Sequence, residues 1–344
     1  MGKTATNKRT INKLLNTYRG HNLVFIVGCP RSGTTWLQRL LACHPQIKTG
    51  QESDIFDMFI GPQLRAWRSL LNYKLSGRPV GLTCYLKESE YLRALRQYMM
   101  HLLEPMIKNL QKEELFVEKT PSHALYVTEI IEMLPESRII HILRDVRDVV
   151  ASLLAASKSW GNHWAPKDAK SAAQMWVQHV QAVRESARNL TRSQFFELCY
   201  EDLSTETADV LQDICTFLGI DWDEKGIADA IKNNNLENAK KTDGTIIPVG
   251  GELASQLGTV TKEPEGFVRK GHPGSWKEDL SKQELLLISH VARNTMEEVG
   301  YSWDDTKKFQ DCANNRMGYH TGPIKSNIEQ SSKKNNYAFM TCAT

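Results

Sequence analysis

The chain has 344 residues, 41% hydrophobic and 24% charged, which is ordinary globular composition with enough apolar material for one large domain or two modest ones. Lys and Arg total 43 against 40 Asp and Glu, a net charge of +3, too even for bulk-charge binding of nucleic acid or a membrane surface. No apolar run reaches transmembrane length, and the basic, polar stretch Met1 to Arg19 lacks the apolar centre of a secretory leader.

Leu23 to Val27 is apolar without alternation, the pattern of a strand buried on both faces of a parallel sheet. Gly28-Cys29-Pro30-Arg31-Ser32-Gly33-Thr34-Thr35-Trp36-Leu37 follows, opening a helix expected from Thr34 to Ala42 and closed by His44-Pro45. The glycines keep the spacing of a P-loop. Such a loop turns successive N–H groups and the positive end of the next helix toward a phosphate. Arg31, Ser32, Thr34 and Thr35 add further donors. Thr34 occupies the place of the P-loop lysine, so the loop suits a phosphate but not the bridging of a triphosphate. Taken alone, it is also compatible with a plain strand–turn–helix corner.

Ile47 to Thr49 reads as a short strand. Residues 54–112 then interrupt the alternation with helical patterning (Tyr91, Leu95, Tyr98, Leu102, Leu103), the mark of a helical cap on the substrate side. Leu115 to Val117 is a third strand, Leu125 to Leu134 an amphipathic helix stopped by Pro135, Arg138 to Leu143 a buried strand, and Val146 to Ala156 a helix. Arg144 falls at the carboxyl end of its strand and needs an anion or a carboxylate. Asp145 reads as a cap, Asp148 as a first-turn acid and Arg147 as solvated. A long helix from Lys167 to Asn189, a strand from Phe195 to Cys199, and helices Thr207–Leu218 and Lys225–Lys232 follow.

Residues 233–273, rich in Gly, Asn, Thr and Pro, read as a long loop over cofactor and substrate. Phe267 to Lys277 sets Arg269-Lys270 beside glycines, which suits a loop closing on phosphate or a solvated basic turn. Ser281, with Glu284 at the third position, caps a last helix reaching Val299, and residues 304–344 read as a polar, flexible tail. One domain over residues 1–303 is expected, α/β in class with a mostly parallel sheet and ligands at the carboxyl ends of its strands. Seven scattered cysteines without CxxC spacing predict neither a disulfide framework nor a zinc site, and a cytoplasmic location.

Three segments, in this order, resemble motifs of the PAPS-dependent sulfotransferases, and the match covers roughly residues 22–300. Pro30 through Trp36 is similar to the family's 5′-phosphosulfate loop. Arg144 through Ser152 is similar to its 3′-phosphate motif, and Phe267-Val268-Arg269-Lys270-Gly271 with Gly274 and Trp276 to its RKGxxGxW motif. The resemblance implies a three-layer α/β/α fold of the P-loop NTPase kind, 3′-phosphoadenosine 5′-phosphosulfate (PAPS) as donor, PAP as product, and no metal. It implies that Arg31, Ser32, Gly33, Thr34 and Thr35 hold the 5′-phosphate and that Trp36 and Tyr200 serve the adenine. By the same resemblance Arg144, Ser152 and Arg269 hold the 3′-phosphate, with Lys270 and Gly271 nearby. Asn234-Asn235-Leu236-Glu237 stands where cytosolic members carry Thr-Ser-Phe.

Sulfuryl transfer asks for positioning, charge stabilisation and a base for the acceptor proton. Thr49-Gly50-Gln51-Glu52-Ser53 resembles the tyrosylprotein sulfotransferases, in which a glutamate at this place is the base, and so implies Glu52. Lys119 matches the family lysine that steadies the bridging oxygen. His123 is the alternative base, two residues further on than the histidine of cytosolic members, and Glu118 reads as structural, paired with an arginine. The expectation is transfer to a hydroxyl, or an amine, of a small molecule in secondary metabolism, without nucleic-acid or membrane partners and with homodimerisation open. The alternatives are a protein-tyrosine sulfotransferase and, from another class, a P-loop nucleotide kinase or NTPase. Thr34 disfavours the latter, as does Arg144-Asp145 where a Walker B acid would bind magnesium.

Overall fold

The computed structural model describes residues 18–235, 237–238, 264 and 266–303, and its centre is the strand expected from the first apolar run. In β1 (Leu23–Val27) every residue is fully buried, because the strand has neighbours on both edges and helices on both faces. The other strands are β2 (Ile47–Thr49), β3 (Leu115–Lys119), β4 (Arg138–Leu143) and β5 (Phe195–Cys199). Their order is β2-β3-β1-β4-β5, and all four pairings are parallel. Chain order departs from β1 in both directions across the sheet, so the loop after β1 lies at the switch point where α/β sheets bind ligands.

Alternation along β1 divides the core into layers. Val24 and Ile26 pack with α1 (Thr34–Leu41), α8 (Thr207–Leu218) and α9 (Glu224–Asn233) through Leu37, Leu41, Leu211, Ile214 and Ile227. Leu23, Phe25 and Val27 face Phe56, Leu64, Met99, Leu103 and Ile130. A third cluster joins α5 (Val146–Ser157), α6 (Ala169–Ala187) and α10 (Lys282–Glu298) around Trp176, Val150 and Ile288. Helices therefore cover both faces of the sheet, the three-layer α/β/α arrangement. Among the described residues no helix is long and apolar enough to cross a membrane.

The excursion between β2 and β3 is helical, as its patterning predicts. It holds a π-helical turn (Ile55–Ile60), α2 (Gly61–Leu75), a 3₁₀ turn (Gly81–Cys84) and α3 (Glu88–Ile107). The helix expected from Leu125 to Leu134 begins earlier, as a 3₁₀ turn Pro121–Tyr126, before α4 (Val127–Met133). β3 runs through Glu118 and Lys119, which continue the parallel register Phe25↔Glu118 and Ile26↔Lys119. A short helix not expected from the sequence, α7 (Tyr200–Thr205), follows β5 without a break. Most of the loop 233–273 and the tail 304–344 lie outside the described residues, as does the region before residue 18. Cys29, Cys43, Cys84 and Cys215 are free thiols. Cys199 is disulfide-bonded, against the expectation of a chain without disulfides.

Candidate active site

The loop after β1 fits tightly around its glycines. A Cβ on Gly28 would lie 2.7 Å from the Ile142 carbonyl oxygen. Gly33 caps α1 at φ 99, and a Cβ there would lie 2.3 Å from the Tyr200 ring. Arg31 also takes a positive φ, 77, which costs a non-glycine residue about 1–2 kcal/mol. Contacts from elsewhere offset that cost. Its Nε donates to Ser152 Oγ at 3.1 Å and its Nη2 to the Phe267 carbonyl at 2.6 Å. The Trp160 and Phe267 rings flank the guanidinium at 5.2 and 4.7 Å. Arg31 thus ties the first motif to the second and third. Nothing in the sequence singled out Trp160.

Arg144, at the end of β4, lies 4.0 Å over the Tyr200 ring and donates from Nη1 to the Arg31 carbonyl at 3.2 Å. Tyr200 donates its hydroxyl to the Gly271 carbonyl, and burial raises its pKa. Trp36 meets Tyr200 edge-on at 5.7 Å and donates Nε1 to the Asn234 carbonyl at 2.9 Å. The structure therefore gathers Arg31, Ser32, Gly33, Trp36, Arg144, Ser152 and Tyr200 on one edge, with Thr34 and Thr35 in the first turn of α1. Among the described residues, Ser32 Oγ and Arg144 Nε on this edge are buried donors with no hydrogen-bond partner. Unpaired buried donors are costly, and an anion would satisfy both. A phosphorylated nucleotide fits these residues: the two orphans suit phosphate oxygens, and Trp36 with Tyr200 offers ring faces beside them.

In the second motif one expectation is corrected and another, Asp148 in the first turn of α5, holds and is extended. Arg147 is not solvated. It is 6% exposed, forks onto Asp145 with Nη2 at 2.7 Å from Oδ2, and lies over Trp276 and Trp303 at 4.4 and 5.3 Å. Asp148 does more than complement a helix dipole. Its carboxylate accepts from the Gly274 amide (2.7 Å), the Ser275 hydroxyl (2.9 Å) and the Trp276 amide (3.0 Å), pinning the third motif to the second. That anchorage brings Glu278 and Asp279 under the two cations. Arg269 pairs with Asp279 at 2.5 Å, and Lys270 with Glu278 at 2.7 Å and Asp279 at 2.9 Å. Ser152 accordingly takes its hydrogen bond from Arg31 and not from Arg269.

At the end of β3, Lys119 pairs with Glu52, whose side chain is 44% exposed while that of Lys119 is 4% exposed. His123 is placed differently from a base. The ring is fully buried and donates Nδ1–H to Glu118 Oε2 at 2.9 Å. Nε2 takes the Phe56 amide at 3.1 Å when the ring is neutral and faces Asp57 Oδ1 at 3.4 Å when it is charged. Burial alone would lower the pKa, but the Glu118 and Asp57 carboxylates outweigh it and push it up to about 9. In both states each nitrogen is committed inside the fold. Glu118 is paired with this histidine, not with an arginine. Burial raises its pKa, but His123 and the hydroxyls of Thr120 and Ser53 outweigh that and lower it.

Fold and site together define a class: an α/β phosphate-loop protein whose anion-facing groups are arginine, serine and backbone amides in place of the P-loop lysine. Residues 23–224, more than half of the chain, match the model of the sulfotransferase family, and the chain belongs to that family. A protein-tyrosine sulfotransferase of Drosophila melanogaster is 25% identical over 203 residues, covering 59% of this chain and 39% of that protein. Protein-tyrosine sulfotransferase 2 of Gallus gallus is 24% identical over 242 residues, covering 68% and 62%. The chain thus spans less than two thirds of the length of these curated relatives. Mouse sulfotransferase SULT7A1, solved in complex with PAP, shares the fold at a TM-score of 0.53 and 15% identity, with 82% of this chain and 89% of that one covered.

Proposed function

We propose that this protein transfers the sulfuryl group of PAPS to a hydroxyl or amine of an acceptor and releases PAP. The observation that carries the mechanism is the Glu52–Lys119 pair beside the phosphate loop, one partner sheltered and the other half open to solvent. PAPS supplies a sulfuryl group already activated on a 5′-phosphate. The amides from Arg31 to Thr35 and the Ser32 hydroxyl hold that phosphate, and Trp36 and Tyr200 take the adenine. Arg144 and Ser152 hold the 3′-phosphate, and Arg31, bonded to Ser152, links the two phosphate positions. Arg269 and Lys270 join them by exchanging Asp279 and Glu278 for phosphate oxygens. Glu52 takes the acceptor proton while the acceptor oxygen or nitrogen bonds to sulfur and the bond from sulfur to the bridging oxygen breaks. Lys119 neutralises the charge left on that oxygen.

The acceptor we favour is a small molecule with an apolar body. A groove lined by Met58, Phe59, Gln63, Tyr91 and Tyr98 opens on the helical excursion and carries no charged side chain. The second reading is a peptide tyrosine, favoured by the activity named for the two curated relatives and by the disulfide at Cys199, which suits an oxidising compartment. Radiolabelled PAPS offered with a panel of alcohols, phenols, amines and tyrosine peptides tests both. Label should move to one class, and Glu52→Gln should lower kcat by about 10²–10⁴-fold with PAP affinity unchanged. Full turnover by that variant removes Glu52 from the role, and absence of PAP binding by the wild type defeats the proposal.

A further inference from the structure

Two consecutive residues after β2 meet two consecutive residues at the end of β3. Glu52 pairs with Lys119, and Ser53 gives its amide (3.2 Å) and its hydroxyl (2.8 Å) to Glu118 Oε1. Side chains alternate across a strand, so Lys119 and Glu118 leave β3 on opposite faces and the loop straddles the strand end. Thr120 Oγ1 accepts the Ser53 amide at 3.1 Å and donates to Glu118 Oε1 at 2.6 Å. Upstream, Gln38 Nε2 holds the Gly50 carbonyl at 2.8 Å. The segment carrying Glu52 is therefore fixed on both sides.

Glu118 is 1% exposed, and an ion buried this deeply is tolerated only when its oxygens are satisfied. Ser53 and Thr120 serve one oxygen, and His123 Nδ1 serves the other. The far side of the His123 ring faces the Phe56 amide and Asp57, in the π-helical turn that follows Glu52. The ring packs edge-on against Phe56 at 5.6 Å. Asp57 in turn accepts the Ser122 hydroxyl at 2.5 Å. His123 thus joins the strand end to the far flank of the loop.

We propose that Glu118 and His123 form a buried positioning pair that holds the Glu52 carboxylate against Lys119 while touching neither donor nor acceptor. The inference rests on Glu52 being the base. The pKa of His123, pushed up to about 9, supports the geometry, since a charged ring keeps Glu118 ionised and both of its oxygens accepting.

Three variants and a double variant test the pair. His123→Leu removes the donor to Glu118, Glu118→Gln removes the charge, and His123→Asn keeps a donor near the Nδ1 position. A base displaced by about 1 Å costs roughly a hundredfold. His123→Leu and Glu118→Gln should therefore lower kcat between about ten- and a hundredfold. Calorimetric PAP affinity should stay unchanged, and His123→Asn should recover most of the loss. In a Glu52→Gln background, His123→Leu should cost nothing more, because no base remains to be positioned. A merely structural histidine would add its full loss there, and that result overturns the proposal, as do single variants with wild-type kcat. A readout independent of turnover is the amine-reagent labelling of Lys119, mapped by mass spectrometry. Labelling should rise in His123→Leu as Glu52 leaves Lys119. If it rises in a protein that transfers no sulfuryl group, the positioning stands and the reading of the reaction fails; if it does not rise, the positioning fails.

Discussion

Glu201, at the start of α7, is buried, with Oε1 accepting the Asp145 amide at 3.0 Å and Oε2 the Tyr301 hydroxyl at 2.6 Å. Burial pushes its carboxyl up from 4.5 to about 7, against the pull of those two donors. The folded chain therefore binds this proton more tightly than the unfolded chain does. The stability it contributes is complete below pH 4.5 and is lost as pH rises through 7. A carboxyl that binds at about 7 in place of 4.5 makes the fold about 3 kcal/mol less stable above that range than below it. Glutamine reproduces the protonated form, with an oxygen for the Asp145 amide and an N–H for the Tyr301 oxygen. Glu201→Gln should match the wild type near pH 4.5, pull ahead as pH rises to 7, and keep a constant lead above it. In thermal melts followed by circular dichroism that lead should be on the order of 5–10 °C at pH 8. His123 also loses stability with rising pH, from 6.5 through about 9, but equally in both proteins, so the difference curve isolates Glu201. A variant that melts at or below the wild type at pH 8 refutes the reasoning.

Gly33→Ala places a Cβ 2.3 Å from the Tyr200 ring at a φ of 99. It should cost about 1–3 kcal/mol of stability and most PAP affinity, measured by melting and calorimetry; wild-type affinity would show that Tyr200 yields freely. Asp148→Ala strips the shared acceptor from Gly274, Ser275 and Trp276. It should cost about 2–4 kcal/mol and speed amide hydrogen exchange at Gly274 and Trp276, and unchanged exchange there would mean that something else holds the loop.

The phosphate-loop geometry of the candidate site was legible because its signals are local. An unbroken apolar run, two glycines at P-loop spacing and an arginine at a strand end need no distant contact to be read. The same sequence misplaced groups whose surroundings come from elsewhere. Arg147 looks solvated until Trp276 and Trp303 close over it from the far end of the chain. Glu118-Lys119 looks like the start of a loop, because two charges inside a strand are costly until Ser53, His123 and Glu52 arrive to match them. His123 attracted the role of base through its proximity in sequence to Lys119, whereas burial commits it to Glu118. Arg269 and Lys270 read as phosphate ligands, while the acids eight to ten residues on, Glu278 and Asp279, compete for them.

β2 and β3 lie side by side in register, Ile47 opposite Leu115 and Thr49 opposite Val117, although the whole helical excursion separates them along the chain. Closing so long a loop is entropically close to closing one half its length, since each doubling costs only about 0.6 kcal/mol. Chain closure therefore sets little limit on the length of the excursion, while its inner face, Phe56, Leu64, Met99 and Leu103, is held by packing against β1; the exposed groove residues are the part free to change. Glu52 lies at its entrance and Lys119 just past its exit, both outside the part that is free to change. An engineer could exchange the exposed groove residues Met58, Phe59 and Tyr98 and alter what fits there while leaving Phe56, Asp57 and the Glu52–Lys119 pair in place.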